Sequence, residues 1–357
     1  MTKKANLPPF LLEDSSSEKQ VHNIWPATLF TLRRNLRHSF FPAKLSTLER
    51  ESLLESLKKA LFSLKEINHP ISLPASTLGA FEKEFISERF LFLTRFPNEL
   101  HQNELILDSD MELLIQLNGE DHLEIQLINY NGNWDTSYQH LTQIETSLGS
   151  ILNFAFNERF GFLTSNPSLS GTALVVNTLL HLPALIHTGQ LPVVLEKTLQ
   201  PYLSLTSLEG DKNVFMGDFL ILSNSYTLGL SEEEILHAVK SSSEQLVAAE
   251  QASRTHLIQQ PNLSIKDLVS KAYGLLKYSY LLHINETLNA LSLMKLALHL
   301  NWISALTDQK INELLLKCQQ AHLSYLHNLT SSDETELARL RALFLRTHLK
   351  EAQLEIT

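Results

Sequence analysis

Two kinds of apolar spacing occur in this chain of 357 residues, and they constrain its fold more than any other feature. Apolar and polar residues alternate in 111–117 and in 122–128, and the polar residues of 118–121 connect the two stretches. This alternation predicts antiparallel strands joined by a tight turn. After Gly229 the leucines recur at helical spacing, and we expect no strand there. The sequence therefore predicts an α+β domain followed by an all-α C-terminal domain.

Other segments extend this prediction along the chain. We expect helices over 47–66 and 134–157, a strand entering a helix over 171–188, and a core strand over 214–223. Gln259-Gln-Pro-Asn262 interrupts the helical spacing near the end of the first domain. The predicted division is a loose N-terminal arm (1–22), a first domain (23–255) and a helical domain (256–357).

Composition excludes several classes of protein. The 29 basic and 39 acidic residues give a net charge of −10, which argues against a nucleic-acid binder or an anionic-membrane binder. The most apolar stretch, 291–306, contains Lys295 and His299 and is too short and polar to span a bilayer. No signal peptide precedes Glu13, so we expect a cytoplasmic protein. The single cysteine, Cys318, excludes a disulfide framework and a cysteine-rich metal site.

Common catalytic motifs are missing from the sequence. Neither glycine-rich phosphate-binding motif occurs, and there is no Gly-x-Ser-x-Gly motif. His181 and His187 have no second pair of ligands at metal spacing, so we interpret them as core or helix residues and expect no metal site. We expect Cys318 to be buried.

The turn at 118–122, Asn-Gly-Glu-Asp-His, has two interpretations. Asn, Gly and Asp are typical of tight turns for backbone reasons alone. Alternatively, a carboxylate such as Glu120, held on a rigid hairpin, binds a cationic group through both oxygens.

Several segments together resemble the ATP:guanidino phosphotransferases, the family of creatine and arginine kinases. The turn at 118–122 is similar to the family's N-E-E-D-H, and Phe160–Leu174 is similar to G-(F/Y)-L-T-x-C-P-T-N-x-G-T-G-L. Leu222–Gly229 resembles I-S-N-x-x-x-L-G, and Arg34-Asn35-Leu36 resembles A-R-N-L. In the helical part, Asn289–Leu293 and Gln320–Leu323 resemble the bacterial protein-arginine kinases, the McsB family.

The resemblance implies a fold and a mechanism. It implies an antiparallel sheet flanked by helices, followed by the helical domain. Family enzymes transfer the ATP γ-phosphoryl group to a guanidinium nitrogen, with arginines around the phosphates and a carboxylate that orients the guanidinium. Glu120 occupies the proton-accepting position, beside Asp121 and His122.

The five arginine positions of the family carry other residues here. They are Leu29, Thr31, Glu124, Val175 and Thr206. A hydrogen bond to a charged group contributes roughly 1.5–3 kcal/mol, so this loss removes on the order of 10 kcal/mol of phosphate binding. Nothing in the spacing suggests compensation by Arg33, Lys44 or magnesium. We therefore expect an inactive pseudokinase without a cofactor. The alternatives are an active kinase that uses Mg-ATP and an unrelated structural role for the fold.

The C-terminal segment resembles a phosphoarginine-binding segment of the McsB family, R-D-x-R-R-A-x-L-I-R. Arg341 and Arg346 match it, whereas Leu337, Ala338 and Leu340 depart from it. Leu337, Leu340 and Phe344 form an apolar stripe that either covers the domain's own core or contacts another protein. By resemblance, the expected partner is a McsA-like protein or a Clp-type protease component, and a second copy of this chain is also possible.

Overall fold

The first part of the chain forms one antiparallel sheet of eight strands. The computed structural model describes residues 21–94, 103–130, 132–208, 215–329 and 333–356. The predicted N-terminal arm therefore lies almost entirely outside the described residues. The strands of this part are β1 Ala27–Arg34, β2 Ile71–Pro74, β3 Glu104–Leu107, β4 Leu113–Leu117, β5 Leu123–Asn129, β6 Phe156–Asn157, β7 Gly161–Phe162, β8 Leu174–His181, β9 Leu203–Ser207 and β10 Phe219–Asn224. Eight of them form the large sheet in the order β2-β3-β4-β5-β1-β8-β10-β9, and β6 and β7 form a separate pair.

Helices cover both faces of this sheet. Helices α1, α3 and α6 pack on one face, where Phe30 and Leu32 of β1 join the largest core. Helix α2 packs on the other face, where Leu29 of β1 meets Phe85. The helices are α1 Thr47–Phe62, α2 Ala80–Arg89, α3 Trp134–Ile151, α4 Pro183–His187, α5 Leu191–Thr198, α6 Glu232–Gln259, α7 Leu263–Tyr278, α8 Ile284–His299, α9 Asp308–Lys317, α10 Gln320–Leu326 and α11 Glu334–His348.

The two alternating stretches form β4 and β5, which confirms the predicted hairpin. One detail was wrong: Met111 does not share the face of Leu113. Its φ of 56° places it in the preceding turn, where Asp108 Oδ1 accepts the N–H groups of Glu112 and Leu113. Met111 packs on the opposite face of the sheet, in the core with Leu114.

Two other predicted elements have different bounds. The helix predicted over 134–157 ends at Ile151, because the backbone of 153–155 pairs with that of 35–37. The predicted strand over 214–223 begins at Phe219, since Gly217 and Asp218 adopt positive φ values in a short turn. Val214 lies outside the described residues.

The C-terminal part packs helices α7, α8, α9 and α11 around a second core. The expectation of no strand after Gly229 was wrong. Ile303–Ser304 (β11) pairs with Gln353–Leu354 (β12), and strands of two residues are too short to show a period. Among the described residues, no helix is long and apolar enough to cross a membrane.

Buried polar contacts join the helical part to the sheet domain. Glu88 of α2 accepts the backbone N–H groups of Ala321 (2.8 Å) and His322 (3.0 Å), which begin α10. Gly217 N–H donates to Asn289 Oδ1 at 2.7 Å. These contacts place α10 over the same face of the sheet as α2.

Lys295 in α8 gives a prediction for stability. Its side chain is fully buried, and burial lowers the pKa of its ammonium to about 8 from 10.5. In the unfolded chain the ammonium keeps its ordinary pKa of 10.5, so between pH 8 and pH 10.5 the unfolded state holds this proton and the folded state does not. The free energy of unfolding of the wild type therefore rises across this range. We expect Lys295→Met to be more stable than the wild type below pH 8 by on the order of 3 kcal/mol, and this excess to shrink toward pH 10.5.

Urea unfolding of both proteins from pH 7 to pH 10.5 checks this prediction. Lys310→Met is the control because its side chain is partly exposed and paired with Glu313. A difference between Lys295→Met and wild type that does not change with pH would contradict it.

Candidate functional site

The turn between β4 and β5 holds the Glu120 carboxylate at the protein surface. Asn118 has a φ of 55° and its N–H donates to the His122 carbonyl at 3.0 Å, which closes the turn. Asn118 Nδ2 also donates to the Arg50 carbonyl at 3.0 Å. Glu120 is exposed, and its carboxylate accepts no hydrogen bond from the described residues. The carboxylate is therefore free to bind a ligand while its backbone is held.

The next residue, Asp121, is buried and fastens the turn to two other segments. Its Oδ1 accepts from Asn35 Nδ2 at 2.6 Å and from Ser165 N at 2.7 Å. Asn35 also donates to the Leu163 carbonyl at 3.0 Å, and its Oδ1 accepts the His122 N–H at 2.9 Å. Asn35 thus connects the turn to the segment that follows β7.

His122 has both ring nitrogens engaged. Nδ1 accepts the Leu36 N–H at 3.0 Å, so Nε2 carries the proton and donates to the Phe40 carbonyl at 2.8 Å. Burial lowers the pKa of the imidazole, which keeps it neutral. His122 therefore positions the segment 36–40 and has no nitrogen left for proton transfer.

The positions aligned with the five family arginines share one face of the sheet. Thr31 lies opposite Val175, Arg33 lies opposite Glu124, and Thr206 lies opposite Ile221. Residues opposite each other or two apart along a strand face the same way. The positions brought together are Leu29, Thr31, Glu124, Val175 and Thr206. Leu29 and Thr31 are buried, and the other three are half-buried. Four of the five side chains are neutral, so these positions form a mostly neutral surface.

The one acidic position on this surface, Glu124, pairs with Arg33. Arg33 Nε lies 2.9 Å from Glu124 Oε2 and 3.9 Å from Asp121 Oδ2. Gln126 donates to Glu124 Oε1, and Thr94 donates to Gln126 at 2.6 Å. Burial raises the pKa of the Glu124 carboxyl, and the nearby Arg33 guanidinium opposes that effect. Arg33, on the same face as these five positions, is therefore paired with a carboxylate, while its Nη1 is buried without a hydrogen-bond partner among the described residues.

Arg34, which belongs to the Arg-Asn-Leu motif, has a structural role. Its side chain is buried, Nε donates to Glu145 at 3.0 Å, and Nη1 donates to the carbonyls of Arg33 and Thr172. The guanidinium lies 3.6 Å from the centre of the Phe162 ring. Arg34 thus holds β1 against α3 and the start of β8.

The two phosphoarginine candidates in α11 have different surroundings. Arg341 is buried, and its guanidinium donates to the carbonyls of Cys318 and Leu282, each at 2.8 Å. Arg346 is half-buried, with a buried Nε that has no partner among the described residues. Leu337 and Leu340 pack against Leu323 of α10. This part of the apolar stripe therefore covers its own domain.

The remaining candidates are structural, as their sequence context indicated. Cys318 is buried, and burial raises the pKa of its thiol to about 12, so the thiol is unreactive. His181 is buried with Nε2 at 2.7 Å from Ser292 Oγ, and His187 Nε2 lies 3.1 Å from Asp218 Oδ1. Among the described residues no group of acidic, histidine and cysteine side chains could hold a metal ion.

Comparison with known proteins first defines the class. A model of the ATP:guanido phosphotransferase C-terminal catalytic domain matches residues 52–253. Among solved structures, a lombricine kinase matches with a TM-score of 0.57 and 18% identity over 71% of this chain and 74% of its own. A duplicated taurocyamine kinase from Schistosoma mansoni matches with a TM-score of 0.58 and 20% identity, over 76% of this chain and 40% of its own. The fold is that of the guanidino kinases, as predicted.

Sequence relatives then narrow the family. A model of the C-terminal domain of protein-arginine kinase McsB matches residues 262–356. The chain is 30% identical to a protein-arginine kinase of Chlamydia pneumoniae, over 95% of this chain and 96% of the relative. It is 28% identical to a protein-arginine kinase of Clostridium acetobutylicum, over 94% of this chain and 98% of the relative. The chain belongs to the McsB-like protein-arginine kinase family, which confirms the resemblance.

The role of Asn35 was not recognised from the sequence, and it gives a prediction. Asn35→Ala removes three hydrogen bonds, two of them buried, and leaves Asp121 and the His122 N–H without this partner. We expect a loss of about 2–4 kcal/mol in the free energy of unfolding, because unpaired buried polar groups cost roughly 1–3 kcal/mol each. Urea denaturation measures this loss.

The matched control is Glu120→Gln in the same turn. Its carboxylate is exposed and unbonded, so we expect no change in the unfolding midpoint. Equal destabilisation by the two substitutions would contradict the assignment of Asn35 as the residue that fastens the turn.

Proposed function

We propose that this chain is a pseudokinase: a protein-arginine kinase homologue that does not bind Mg-ATP and acts through protein contacts. The observation that carries the proposal is the ion pair between Arg33 and Glu124 on the face where the family's arginine positions lie. A triphosphate needs several converging positive charges, and this surface offers one guanidinium that a carboxylate already neutralises.

The charges on the sheet support this proposal. The eight strands described contain two arginines, Arg33 and Arg34, and no lysine. Arg34 is buried and paired with Glu145. Asp121 Oδ2, 3.9 Å from Arg33, adds further negative charge beside the pair. Binding an anion here would require breaking the pair and leaving the half-buried Glu124 carboxylate without its counter-ion.

Of the family's site residues, the carboxylate that orients the guanidinium is retained as Glu120, whereas the arginines around the phosphates are not. Glu120 stands exposed on a turn that Asn35, Asp121 and His122 hold in place. Its unbonded carboxylate can pair with both outer nitrogens of an arginine side chain. We therefore propose that the chain still recognises arginine side chains of a partner protein without phosphorylating them.

The partner we propose is a component of the arginine-phosphorylation system, either a McsA-like protein or a Clp-type protease subunit, or a second copy of this chain. Exposed apolar side chains on the helical domain support a role in protein contacts, among them Leu263, Tyr278 and Tyr280. Sedimentation of the full chain, alone and with each candidate partner, distinguishes these possibilities.

Isothermal titration of the full chain with ATP and magnesium tests the pseudokinase proposal. We expect no binding heat up to millimolar nucleotide, because the surface lacks free positive charge. Micromolar binding, or transfer of labelled phosphate to a protein arginine, would establish the alternative of an active kinase with a rebuilt nucleotide site.

Glu120→Gln tests the guanidinium site separately. We expect binding of an arginine-containing peptide to weaken by about tenfold or more, since a charge-assisted hydrogen bond contributes roughly 1.5–3 kcal/mol. Glu233→Gln, at an exposed position on α6, removes the same charge and should leave peptide binding unchanged. Equal peptide affinity in the two variants would rule out recognition by Glu120.

A further inference from the structure

The short hairpin formed by β6 and β7 exposes large apolar side chains. Phe156 in β6 is 55% exposed, and Phe160 in the turn of the hairpin is 44% exposed. Ile151, at the end of α3, is 52% exposed. Clustered apolar side chains on a surface are typical of sites that contact another protein. The hairpin is therefore a candidate contact surface that a partner can reach without any opening of the fold.

The fold holds this hairpin in place. The Phe156 ring packs edge-on against the Phe162 ring, with 5.3 Å between the ring centres. Phe162 also contacts Phe154 and the guanidinium of Arg34. Its backbone N–H and carbonyl both pair with Gly171, at 2.8 Å and 3.0 Å. Because the aromatic rings are already ordered, binding against them costs little conformational entropy on this side of the contact.

The hairpin lies close to the turn that carries Glu120. Ser165 donates its N–H to Asp121 Oδ1 at 2.7 Å and its hydroxyl to the Glu120 carbonyl. Ser165 comes three residues after Phe162, and Phe156 lies directly opposite Phe162. The backbones of Glu120 and Phe156 are therefore at most about 24 Å apart, given the span of extended chain and the spacing of paired strands. About seven residues of extended polypeptide cover that distance.

The two ends of this surface differ in charge. At the turn, the Glu120 carboxylate is exposed and accepts no hydrogen bond from the described residues. At the hairpin, Arg159 is exposed, and Arg37 is exposed beside it, where its N–H donates to the Asn153 carbonyl at 2.8 Å. Neither guanidinium pairs with a carboxylate of the described residues. The hairpin opposes these two cations with one carboxylate, Glu158, so a complementary ligand is positive at the turn and negative at the hairpin.

We propose that the Glu120 turn and the hairpin together bind one extended segment of a partner protein. The segment carries an arginine that pairs with Glu120, a large apolar residue about six positions away that packs against Phe156, and an acidic residue next to it. The acidic residue meets the positive charge of Arg37 and Arg159. This inference rests on the proposed recognition of arginine by Glu120, and it defines which arginines are recognised.

Isothermal titration of the full chain with synthetic peptides tests the proposal. The first peptide is Arg-Gly-Ser-Gly-Ser-Gly-Phe-Asp, blocked at both ends, and the second has the same residues in reverse order. We expect one of the two orders to bind. Serine in place of the peptide's phenylalanine should weaken binding about fivefold, because part of the ring's apolar area is buried on binding. Asparagine in place of its aspartate should weaken binding about twofold, as exposed ion pairs contribute little.

Phe156→Ser tests the hairpin directly. We expect this variant to bind the phenylalanine and serine peptides equally. Phe62→Ser is the matched control, because Phe62 is 48% exposed and ends α1, twelve residues after Arg50, which contacts the turn. It lies about 18 Å along the helix from Arg50 and should keep the fivefold difference. Both rings are largely exposed, so both variants should keep the urea midpoint of the wild type.

The outcomes separate this inference from the proposed function. Equal affinity of the phenylalanine and serine peptides for the wild type, or a difference that persists in Phe156→Ser, would overturn the role of the hairpin and leave arginine recognition by Glu120 standing. Equal affinity of peptides with arginine and with citrulline would overturn both. Tighter binding of the asparagine peptide would overturn the assigned charge pattern. A wild-type dimer in sedimentation that Phe156→Ser converts to a monomer would show that a second copy covers the hairpin, which would also overturn the proposal.

Discussion

Burial of both faces of the eight-stranded sheet is the constraint on which the rest of the structure depends. Strand β1 lies between β5 and β8, with α1, α3 and α6 on one side and α2 on the other. A charged side chain on these strands must therefore find a partner within the protein. Arg34 forms an ion pair with Glu145 on one face of the sheet, and Arg33 forms an ion pair with Glu124 on the other face.

This constraint accounts for the neutral residues on the face where the resemblance places the family's arginines. Converging arginines on a half-buried surface repel each other unless an anion separates them. Replacing them by Leu29, Thr31 and Val175 removes that repulsion and adds apolar or neutral contacts. Glu124 then serves as the internal counter-ion of Arg33, whose Nε and Nη1 are buried without a hydrogen-bond partner among the described residues.

The sequence predicted those features that depend on local spacing. Alternation predicted β4 and β5, and turn chemistry placed Glu120 at an exposed tip. The pair Arg33–Glu124 could not be predicted, because it depends on the register between strands some 90 residues apart. The burial of Arg341 was missed for a similar reason: its acceptors, the carbonyls of Cys318 and Leu282, are distant in sequence.

Glu120, Asp121 and His122, the turn residues that match the family motif, differ in what they indicate about function. Asp121 is buried and accepts hydrogen bonds from Asn35 and Ser165. His122 is buried and forms hydrogen bonds with the backbone of Leu36 and Phe40. The fold therefore needs both residues whether or not a reaction occurs. Their presence is therefore no evidence of catalysis. Glu120 differs, because its exposed carboxylate contributes no hydrogen bond to the described structure. Of the three, Glu120 alone has a carboxylate that the fold leaves free, which is why the proposed recognition of a guanidinium rests on it.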